Sequence, residues 1–255
     1  MTGLETADLK EKLTHPLKVE EKIQETPDAY SFRLDIPSEL KTQYQYRAGQ
    51  FVTLFLNVNG EEIRRSYSLC TSPNHDDHFQ ITVKQVPGGK GSNHLANNVN
   101  TGDTLYVTPP QGTFFQPLDN EKSAQYFLFA AGSGITPIFS IAKEVLSTDP
   151  SARVNLLFAN RDEDHIIYRE LFAGVESQFS GRLHISHQLS KPKGGCDLTG
   201  RCNAEVAAKF AADKAQGSGP KQAYICGPEG FMDAVKEGLK TAGLADGFDR
   251  GWPQR

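Results

Sequence analysis

A short run of polar and aromatic residues has the composition of a nucleotide-binding strand. Arg65, Ser66, Tyr67 and Ser68 follow one another, and strand alternation places Arg65 and Tyr67 on one side and the two serines on the other. Arginine pairs with phosphate through two hydrogen bonds, an aromatic ring covers a flat ring system, and a serine hydroxyl bonds a ring nitrogen. The run indicates either a cofactor site or a solvated edge strand.

A glycine loop further along the chain is suited to binding a pyrophosphate. Gly132, Ser133 and Gly134 follow an apolar run and precede a helical pattern. Glycines let the backbone approach a ligand, and the free N–H groups at a helix start attract anions. We expect Thr136 to be the helix N-cap and Pro137 to be its first residue. A tight strand-to-helix turn without a ligand is the alternative, because Pro137 replaces the third glycine of the dinucleotide fingerprint.

A second glycine-rich segment, residues 88–93, precedes a short amphipathic stretch. It includes Gly91, Ser92 and Asn93. Ser92 is predicted to cap a helix there, which would create another anion-binding helix start. An ordinary glycine-rich loop is the alternative.

Two further segments follow predicted parallel strands. Cys226 ends the apolar run 223–226, and Gly227 and Pro228 follow it, at the edge where such sheets bind ligands. A small buried thiol at a strand end fits Cys226 equally well. Asn160 and Arg161 follow the strand predicted over residues 154–159.

The residues after this second strand bear on the choice of nicotinamide cofactor. An arginine at this place accommodates the 2′-phosphate of NADPH, whereas an acid binds the ribose hydroxyl of NADH. Arg161 therefore favours NADPH. Asp162 directly follows it, and Arg161 could instead be a solvated loop residue.

The hydrophobic pattern predicts two domains that would position these residues. From residue 17 to 118 apolar residues alternate, and the Asn59-Gly60 pair between two such runs predicts a hairpin. Short strands over 51–58, 62–69, 79–84 and 104–107 predict a small antiparallel barrel. Over 122–255, strands at 126–131, 154–158, 183–189 and 223–226 alternate with helical stretches, which predicts a parallel α/β domain. Residues 1–16 are predicted to be a flexible leader.

The bulk composition excludes several classes of function. The net charge of −4 and a pI near 6.0 give no basic surface for nucleic acid. The sequence has neither a membrane-spanning apolar run nor a signal peptide, so we expect a cytoplasmic protein with no membrane partner. The four cysteines are expected to be reduced thiols, and the spacing of Cys196 and Cys202 matches no metal motif, so no metal site is predicted.

The order of these motifs resembles the ferredoxin–NADP reductase superfamily over residues 17–243. The resemblance is closest to the reductase component of bacterial phenylacetyl-CoA oxygenase. The motifs that carry it, in chain order, are Arg65-x-Tyr67-Ser68, Val83-Lys84, Gly89-x-x-Ser92, Gly132-x-Gly134-x-Thr136-Pro137, Asn160-Arg161 and Cys226-Gly227-Pro228.

The resemblance implies that the barrel binds FAD and the α/β domain binds the nicotinamide cofactor. The residues implied on the FAD side are Arg65, Gly91, Ser92 and Asn93 at the pyrophosphate, Tyr67 against the ribityl chain and ring system, and Ser68 at flavin N5, with Ser66, Val83 and Lys84 nearby. Those implied on the nicotinamide side are Gly132, Ser133, Gly134, Thr136, Asn160, Arg161, Cys226, Gly227 and Pro228. Ser68, Thr136 and Cys226 would be the catalytic residues.

The implied activity is a flavin-dependent NAD(P)H reductase. Hydride would pass from the nicotinamide to FAD, and single electrons would then pass to an iron–sulfur acceptor, either a ferredoxin or an oxygenase component. The resembling reductases continue into a C-terminal [2Fe–2S] domain, which is not predicted here, so no iron–sulfur cluster is expected in this chain. Phe248 or Trp252 near the end of the sequence would either cover the flavin or be exposed. An NAD(P)H:flavin reductase and a non-catalytic flavin-binding redox subunit are the alternatives.

Overall fold

The computed structural model describes residues 13–117, 124–215 and 219–244. The strands are β1 His15–Thr26, β2 Ala29–Asp35, β3 Phe51–Val58, β4 Glu61–Ser68, β5 Gln80–Lys84, β6 Thr104–Val107, β7 Gln125–Ala131, β8 Arg153–Asn160, β9 Leu183–Leu189, β10 Leu198–Thr199 and β11 Lys221–Cys226. The helices are α1 Lys90–Asn98, α2 Ile135–Thr148, α3 Arg169–Gln178, α4 Ala204–Lys214 and α5 Glu229–Thr241. Phe248, Trp252 and the first twelve residues of the predicted leader lie outside the described residues.

The first six strands form an antiparallel barrel, as predicted. Their order in the sheet is β4-β3-β6-β1-β2-β5, and an antiparallel bridge between Leu69 and Ile81 brings the end of β4 back to β5. Alternate residues of each strand face a shared apolar interior. Phe32, Leu54 and Ile81 are among those fully buried there.

The hairpin between β3 and β4 has the predicted turn. Asn59 has φ of 53° and Gly60 has φ of 85°, so both central residues take the positive φ that a type I′ turn requires. The hairpin fixes the register in which Leu54 faces Arg65 and Val52 faces Tyr67. The turn thereby places the polar residues of β4 beside the barrel core.

Strand β1 begins earlier than the sequence predicts. His15 and Pro16, which were expected to belong to the leader, pair with Val107 and Tyr106 of β6. Proline lacks the N–H group for a ladder but is accepted near the start of a strand, which is where Pro16 lies. This part of the leader prediction is therefore corrected.

The second half of the chain is a parallel sheet between two layers of helices, as predicted. The sheet has the order β10-β9-β8-β7-β11, and all seven residues of β7, an interior strand, are buried. Helices α2 and α3 pack on one face through Phe139 and Phe172, and α4 and α5 pack on the other through Phe210 and Met232. The two-residue strand β10 was not predicted, because its length is too short for any periodicity.

Polar contacts fasten the barrel to the α/β domain. Lys143 of α2 pairs with Asp76 at 2.5 Å, and both side chains are largely buried. Glu144 accepts hydrogen bonds from Ser72 and Asn74. These contacts hold α2 against the barrel, where a cleft opens between the two domains. Within the described residues, no helix is both long and apolar enough to cross a bilayer.

Candidate functional site

A cleft of about 1240 Å³ lies between the barrel and the carboxyl edge of the parallel sheet. Pockets for small ligands commonly measure about 300–1,000 Å³, so this cleft has room for more than one cofactor. Of the site residues predicted from the sequence, all but Val83 and Asn93 line it. The cleft therefore brings the motifs of both domains together.

Strand β4 presents its polar residues to the cleft. Arg65 is exposed and its guanidinium rests on the carbonyl of Arg64 at 2.7 Å, so it is free to turn to a phosphate. Burial raises the pKa of Tyr67 to about 12, which keeps its hydroxyl protonated. Ser68 is buried and its hydroxyl makes no hydrogen bond to the described residues. Ser66 is engaged with Thr53 at 2.9 Å.

The N-terminus of helix α1 lies at the cleft, and Ser92 does not cap it as predicted. The N-cap is Gly89 and no side chain caps the helix, so its first N–H groups can bind an anion. Ser92 lies inside the first turn, where its hydroxyl accepts from the backbone N–H of Val86 at 3.1 Å. A Cβ on Gly91 would approach Arg65 Cγ to 2.9 Å. Glycine here lets the helix start lie directly against Arg65.

Two residues predicted for the site lie elsewhere. The Val83 side chain is fully buried in the barrel interior, because alternation along β5 turns it inward. Asn93 does not line the cleft; its side chain donates to the Val86 carbonyl and accepts from Gln85. Lys84 does line the cleft, and it pairs with Asp28 at 3.5 Å.

The glycine loop after β7 begins helix α2 differently from the prediction. Gly132–Gly134 form one turn of 3-10 helix, Gly134 is the N-cap, and α2 begins at Ile135. Thr136 is therefore not the cap; its hydroxyl instead donates to the Ser133 carbonyl at 3.0 Å. Pro137 lies two residues into the helix, where the missing N–H still costs no hydrogen bond. The Ile135 N–H already bonds to the carbonyls of Gly132 and Ser133, and no side chain caps the 3-10 turn, so the N–H groups of that turn are the ones available to an anion.

Cys226 ends β11 directly beside this loop. A Cβ on Gly134 would lie 2.1 Å from the Cys226 carbonyl oxygen, so only glycine permits this approach. Burial raises the pKa of the Cys226 thiol to about 12. The side chain is therefore a neutral thiol at neutral pH and not a thiolate nucleophile.

The turn after β8 holds its charged groups in a fixed arrangement. Burial disfavours the charged form of Asp162, but hydrogen bonds from His165 and Arg161 outweigh it and lower the pKa to about 2. Arg161 donates to Asp162 at 3.0 Å while its side chain remains mostly exposed to the cleft. The amide oxygen and nitrogen of Asn160 are buried and have no partner within the described residues.

Several residues that line the cleft were not predicted from the sequence. They include Thr82, Lys90, Ser190, Gly200, Arg201, Cys202 and Phe231. Ser190 follows β9 and Gly200 follows β10, so their placement depends on the register of β10 against β9. A two-residue strand leaves no periodic signal, but a cluster of polar residues after each strand end could have marked this region.

The residues present fit both cofactors. Two helix starts without a side-chain cap suit two pyrophosphates. Glycines lie where a Cβ would narrow the binding site. The unpartnered amide of Asn160 lies in the nucleotide half of the cleft. Comparison with known proteins agrees with this geometry. An oxidoreductase FAD-binding domain matches residues 16–115, and an oxidoreductase NAD-binding domain matches residues 128–237.

The chain therefore carries an oxidoreductase FAD-binding domain followed by an oxidoreductase NAD-binding domain. It is 38% identical over 230 residues to the ferredoxin reductase component of 3-ketosteroid-9-alpha-monooxygenase from Rhodococcus rhodochrous, covering 89% of this chain and 61% of that protein. It is 33% identical over 233 residues to a component of 1,2-phenylacetyl-CoA epoxidase from Escherichia coli, covering 91% of this chain and 65% of that protein. The chain thus spans about three fifths of the length of these curated relatives.

Solved structures support the same two-domain fold. A cytochrome P450 reductase from Amycolatopsis superposes with a TM-score of 0.77 at 25% identity, covering 93% of this chain and 68% of that chain. The FAD/NAD-binding domain of nitric oxide dioxygenase from Vibrio cholerae superposes with a TM-score of 0.77 at 23% identity, covering 94% of this chain and 97% of that chain. The expected FAD-binding and NAD-binding domains and the two-domain fold are confirmed.

Proposed function

We propose that this chain is a flavin-dependent NAD(P)H reductase that delivers single electrons to an iron–sulfur protein. The observation that carries the proposal is the single cleft that joins the barrel motif at Arg65 to the glycine loop at Gly134. Relatives named as ferredoxin reductase components of oxygenases support the direction of electron flow. Bound FAD supplies the conversion from a two-electron donor to one-electron acceptors.

On the barrel side, we propose that the chain binds and orients FAD. Arg65 and the N-terminus of α1 hold the pyrophosphate, because both offer positive charge or free N–H groups at the cleft. The phenol ring of Tyr67, which already packs against the barrel core, covers the flavin ring system. The free hydroxyl of Ser68 bonds flavin N5 and fixes the ring that receives hydride.

On the α/β side, we propose that the chain holds the nicotinamide over the flavin. The uncapped start of α2 binds the pyrophosphate through the backbone of Gly132, Ser133 and Gly134. Thr136 lies in the first turn of that helix, and Cys226 lies at the end of β11 beside it. As a neutral, buried thiol, Cys226 supplies an apolar contact that excludes water from the reacting atoms.

We further propose that NADPH is preferred to NADH. Arg161 is held at the cleft by the buried carboxylate of Asp162, and Arg201 lines the same side. Asp162, the acid that would otherwise bind the ribose hydroxyl, is thereby paired with His165 and Arg161. Two arginines suit a 2′-phosphate better than a neutral hydroxyl.

The ratio of kcat/KM for NADPH to that for NADH tests this preference. We expect Arg161→Ala to lower the ratio about tenfold or more, since a hydrogen bond to a charged group contributes about 1.5–3 kcal/mol. Arg47→Ala is the control, because Arg47 is exposed and does not line the cleft. An unchanged ratio in Arg161→Ala would remove the arginine from cofactor choice.

The electron-transfer function is tested by stoichiometry with a [2Fe–2S] ferredoxin. FAD should remain bound after desalting, and each NADPH oxidised should reduce two ferredoxin molecules. Reduction of added free flavin with no bound FAD would instead identify an NAD(P)H:flavin reductase. A protein that holds FAD but oxidises neither nucleotide would be a non-catalytic redox subunit.

A further inference from the structure

A second cavity of about 540 Å³ is lined by residues of both domains and shares no lining residue with the cleft. Its walls come from the end of β1, the segment after β4, helix α2 and the start of α3. Glu25 and Tyr168 both line it. Neither residue has a part in cofactor binding as proposed above.

Three hydroxyl groups connect this cavity with the cleft. Tyr168 Oη donates to Thr82 Oγ1 at 2.6 Å, Thr82 Oγ1 lies 2.7 Å from Ser31 Oγ, and Ser31 Oγ donates to Glu25 Oε1 at 2.5 Å. Thr82 Oγ1 also lies 3.4 Å from Cys70 Sγ, to which it can donate. While Ser31 donates to Glu25, the contact between Thr82 and Ser31 requires Thr82 to donate to Ser31 instead. The chain of donors therefore points from Thr82 to the Glu25 carboxylate.

Thr82 lies where the proposed reaction takes place. It lines the cleft although it is almost fully buried. The antiparallel bridge between Leu69 and Ile81 makes Ser68 and Thr82 the next facing pair of these strands. The inner end of the hydroxyl chain is thus beside the residue proposed to contact flavin N5.

The proposed function creates a proton that must leave this place. Oxidation of one NAD(P)H by two one-electron acceptors yields NAD(P)⁺, two reduced acceptors and one proton. The proton arrives in the cleft with the hydride and is released there as the electrons depart. A hydrogen-bonded path of protein groups that starts in the cleft would give this proton a route out.

We propose that Thr82, Ser31 and Glu25 form a relay that carries this proton from the cleft to the second cavity; the inference rests on the proposed reductase function. Thr82 Oγ1 takes a proton from the cleft as its own proton passes to Ser31 Oγ, and the Ser31 proton passes to Glu25 Oε1. Glu25 then loses the proton to water in the second cavity, and the hydroxyl groups rotate back. Tyr168 is a positioning residue that holds Thr82 through its hydroxyl.

The surroundings of Glu25 suit a proton acceptor. Burial raises its pKa, although hydrogen bonds from Ser31 and the Tyr168 backbone and the charge of Arg33 act in the opposite direction. A carboxyl group titrating closer to neutral pH exchanges protons more effectively with the cleft. The other charged or titratable side chains lining the cavity are Asp76, His78, Lys143, Glu163, Asp164, Arg169, Glu170 and Cys70.

The test separates the two halves of the reaction in the FAD-loaded protein. Stopped-flow absorbance measures reduction by NADPH, and a pH-indicator dye measures proton release when the reduced protein meets ferricyanide. Glu25→Gln and Thr82→Val should slow proton release about tenfold or more while reduction by NADPH proceeds at the wild-type rate. The pH profile of proton release should lose its Glu25 inflection in Glu25→Gln, and Thr82→Ser should restore the rate.

Matched controls distinguish a relay from a structural network. Glu20→Gln changes an exposed carboxylate on the same strand, and Thr104→Val changes an exposed barrel threonine; neither should slow proton release. A ¹³C NMR titration of Glu25 in the apoprotein gives a readout free of activity, and its pKa should shift in Thr82→Val but not in Thr104→Val. Wild-type proton release in both Glu25→Gln and Thr82→Val overturns the relay. If NADPH does not reduce the flavin at all, the reductase function itself fails.

Discussion

Gly134 is the residue at which the two halves of the proposed nicotinamide site touch most closely. A methyl group there would lie 2.1 Å from the Cys226 carbonyl oxygen and 2.8 Å from the Gly227 nitrogen. Backbone atoms cannot move aside as a flexible side chain can, so Gly134→Ala should separate α2 from β11. We expect NADPH binding to weaken at least tenfold while FAD binding is retained, as measured by calorimetry and flavin content.

Gly174→Ala provides the matched control for that variant. Gly174 lies in α3, and a Cβ there would meet nothing within 4 Å. Alanine is favoured over glycine inside a helix by about 0.5–1 kcal/mol, so this variant should melt slightly higher and bind NADPH normally. Equal NADPH affinities for the two alanine variants would contradict the role given to Gly134.

On the flavin side, we predict that Arg65 contributes to FAD binding. Its guanidinium contacts only a neighbouring carbonyl among the described residues, so its removal leaves no buried group unpaired. Arg65→Ala should weaken FAD binding by about 1.5–3 kcal/mol, or roughly tenfold to hundredfold. Fluorescence titration of the apoprotein with FAD measures this, with Arg47→Ala as the control. Unaltered FAD affinity would assign Arg65 to a solvated strand.

Residues with distinctive chemistry were predictable, and residues whose role depends on a distant neighbour were not. Arg65, Tyr67 and the glycine loop are recognisable because the chemistry lies in the local sequence. Thr82 was missed because its significance comes from Ser31 and Tyr168, which are 51 and 86 positions away. The sequence pattern of one segment cannot reveal a contact that three separate segments form together.

At the scale of elements, strands were predicted better than helix starts. Alternation and the Asn59-Gly60 turn identified the hairpin, because both depend on local backbone preferences. The caps at Ser92 and Thr136 were predicted from residue preference, yet the structure leaves both helix starts without a side-chain cap. A helix start that binds a cofactor phosphate has no need of a side-chain cap.

Strand β9 gives the chain a pH-dependent stability. Burial lowers the pKa of His187, which lies against Phe158 and Phe172, below its ordinary value of 6.5. The unfolded chain therefore binds a proton first, so the stabilising effect is complete above about pH 6.5 and is lost as the pH falls toward the folded pKa.

The variant His187→Gln tests this contribution. The free energy of unfolding of the wild type should fall as the pH is lowered below about 6.5, and the slope should be smaller in His187→Gln. Denaturant titrations across this range measure it. His184→Gln on the same strand is the control, because His184 is exposed. Parallel slopes for the wild type and His187→Gln would show that His187 does not couple folding to pH.

In the whole molecule, the interface holds the barrel and the α/β domain in one arrangement. Lys143 and Asp76 join them, with 6% and 13% of their side chains exposed. Removing one partner of a buried ion pair costs about 3–5 kcal/mol. Lys143→Met should therefore split one calorimetric unfolding transition into two.

An exposed ion pair supplies the control for the interface. Lys209 and Asp213 pair within α4, with 74% and 55% of their side chains exposed. Exposed pairs contribute about 0–1 kcal/mol, so Lys209→Met should leave the unfolding transition nearly unchanged. A single transition in Lys143→Met would mean that other contacts suffice to couple the domains.

We propose that one cleft brings the nicotinamide and FAD into direct contact. Anaerobic stopped-flow mixing of the FAD-loaded protein with NADPH tests it most directly. We expect the oxidised flavin absorbance to bleach in a single turnover, at a rate that saturates with NADPH and falls in Ser68→Ala and Cys226→Ala. Flavin that stays oxidised with both NADPH and NADH would contradict direct contact between the two cofactors.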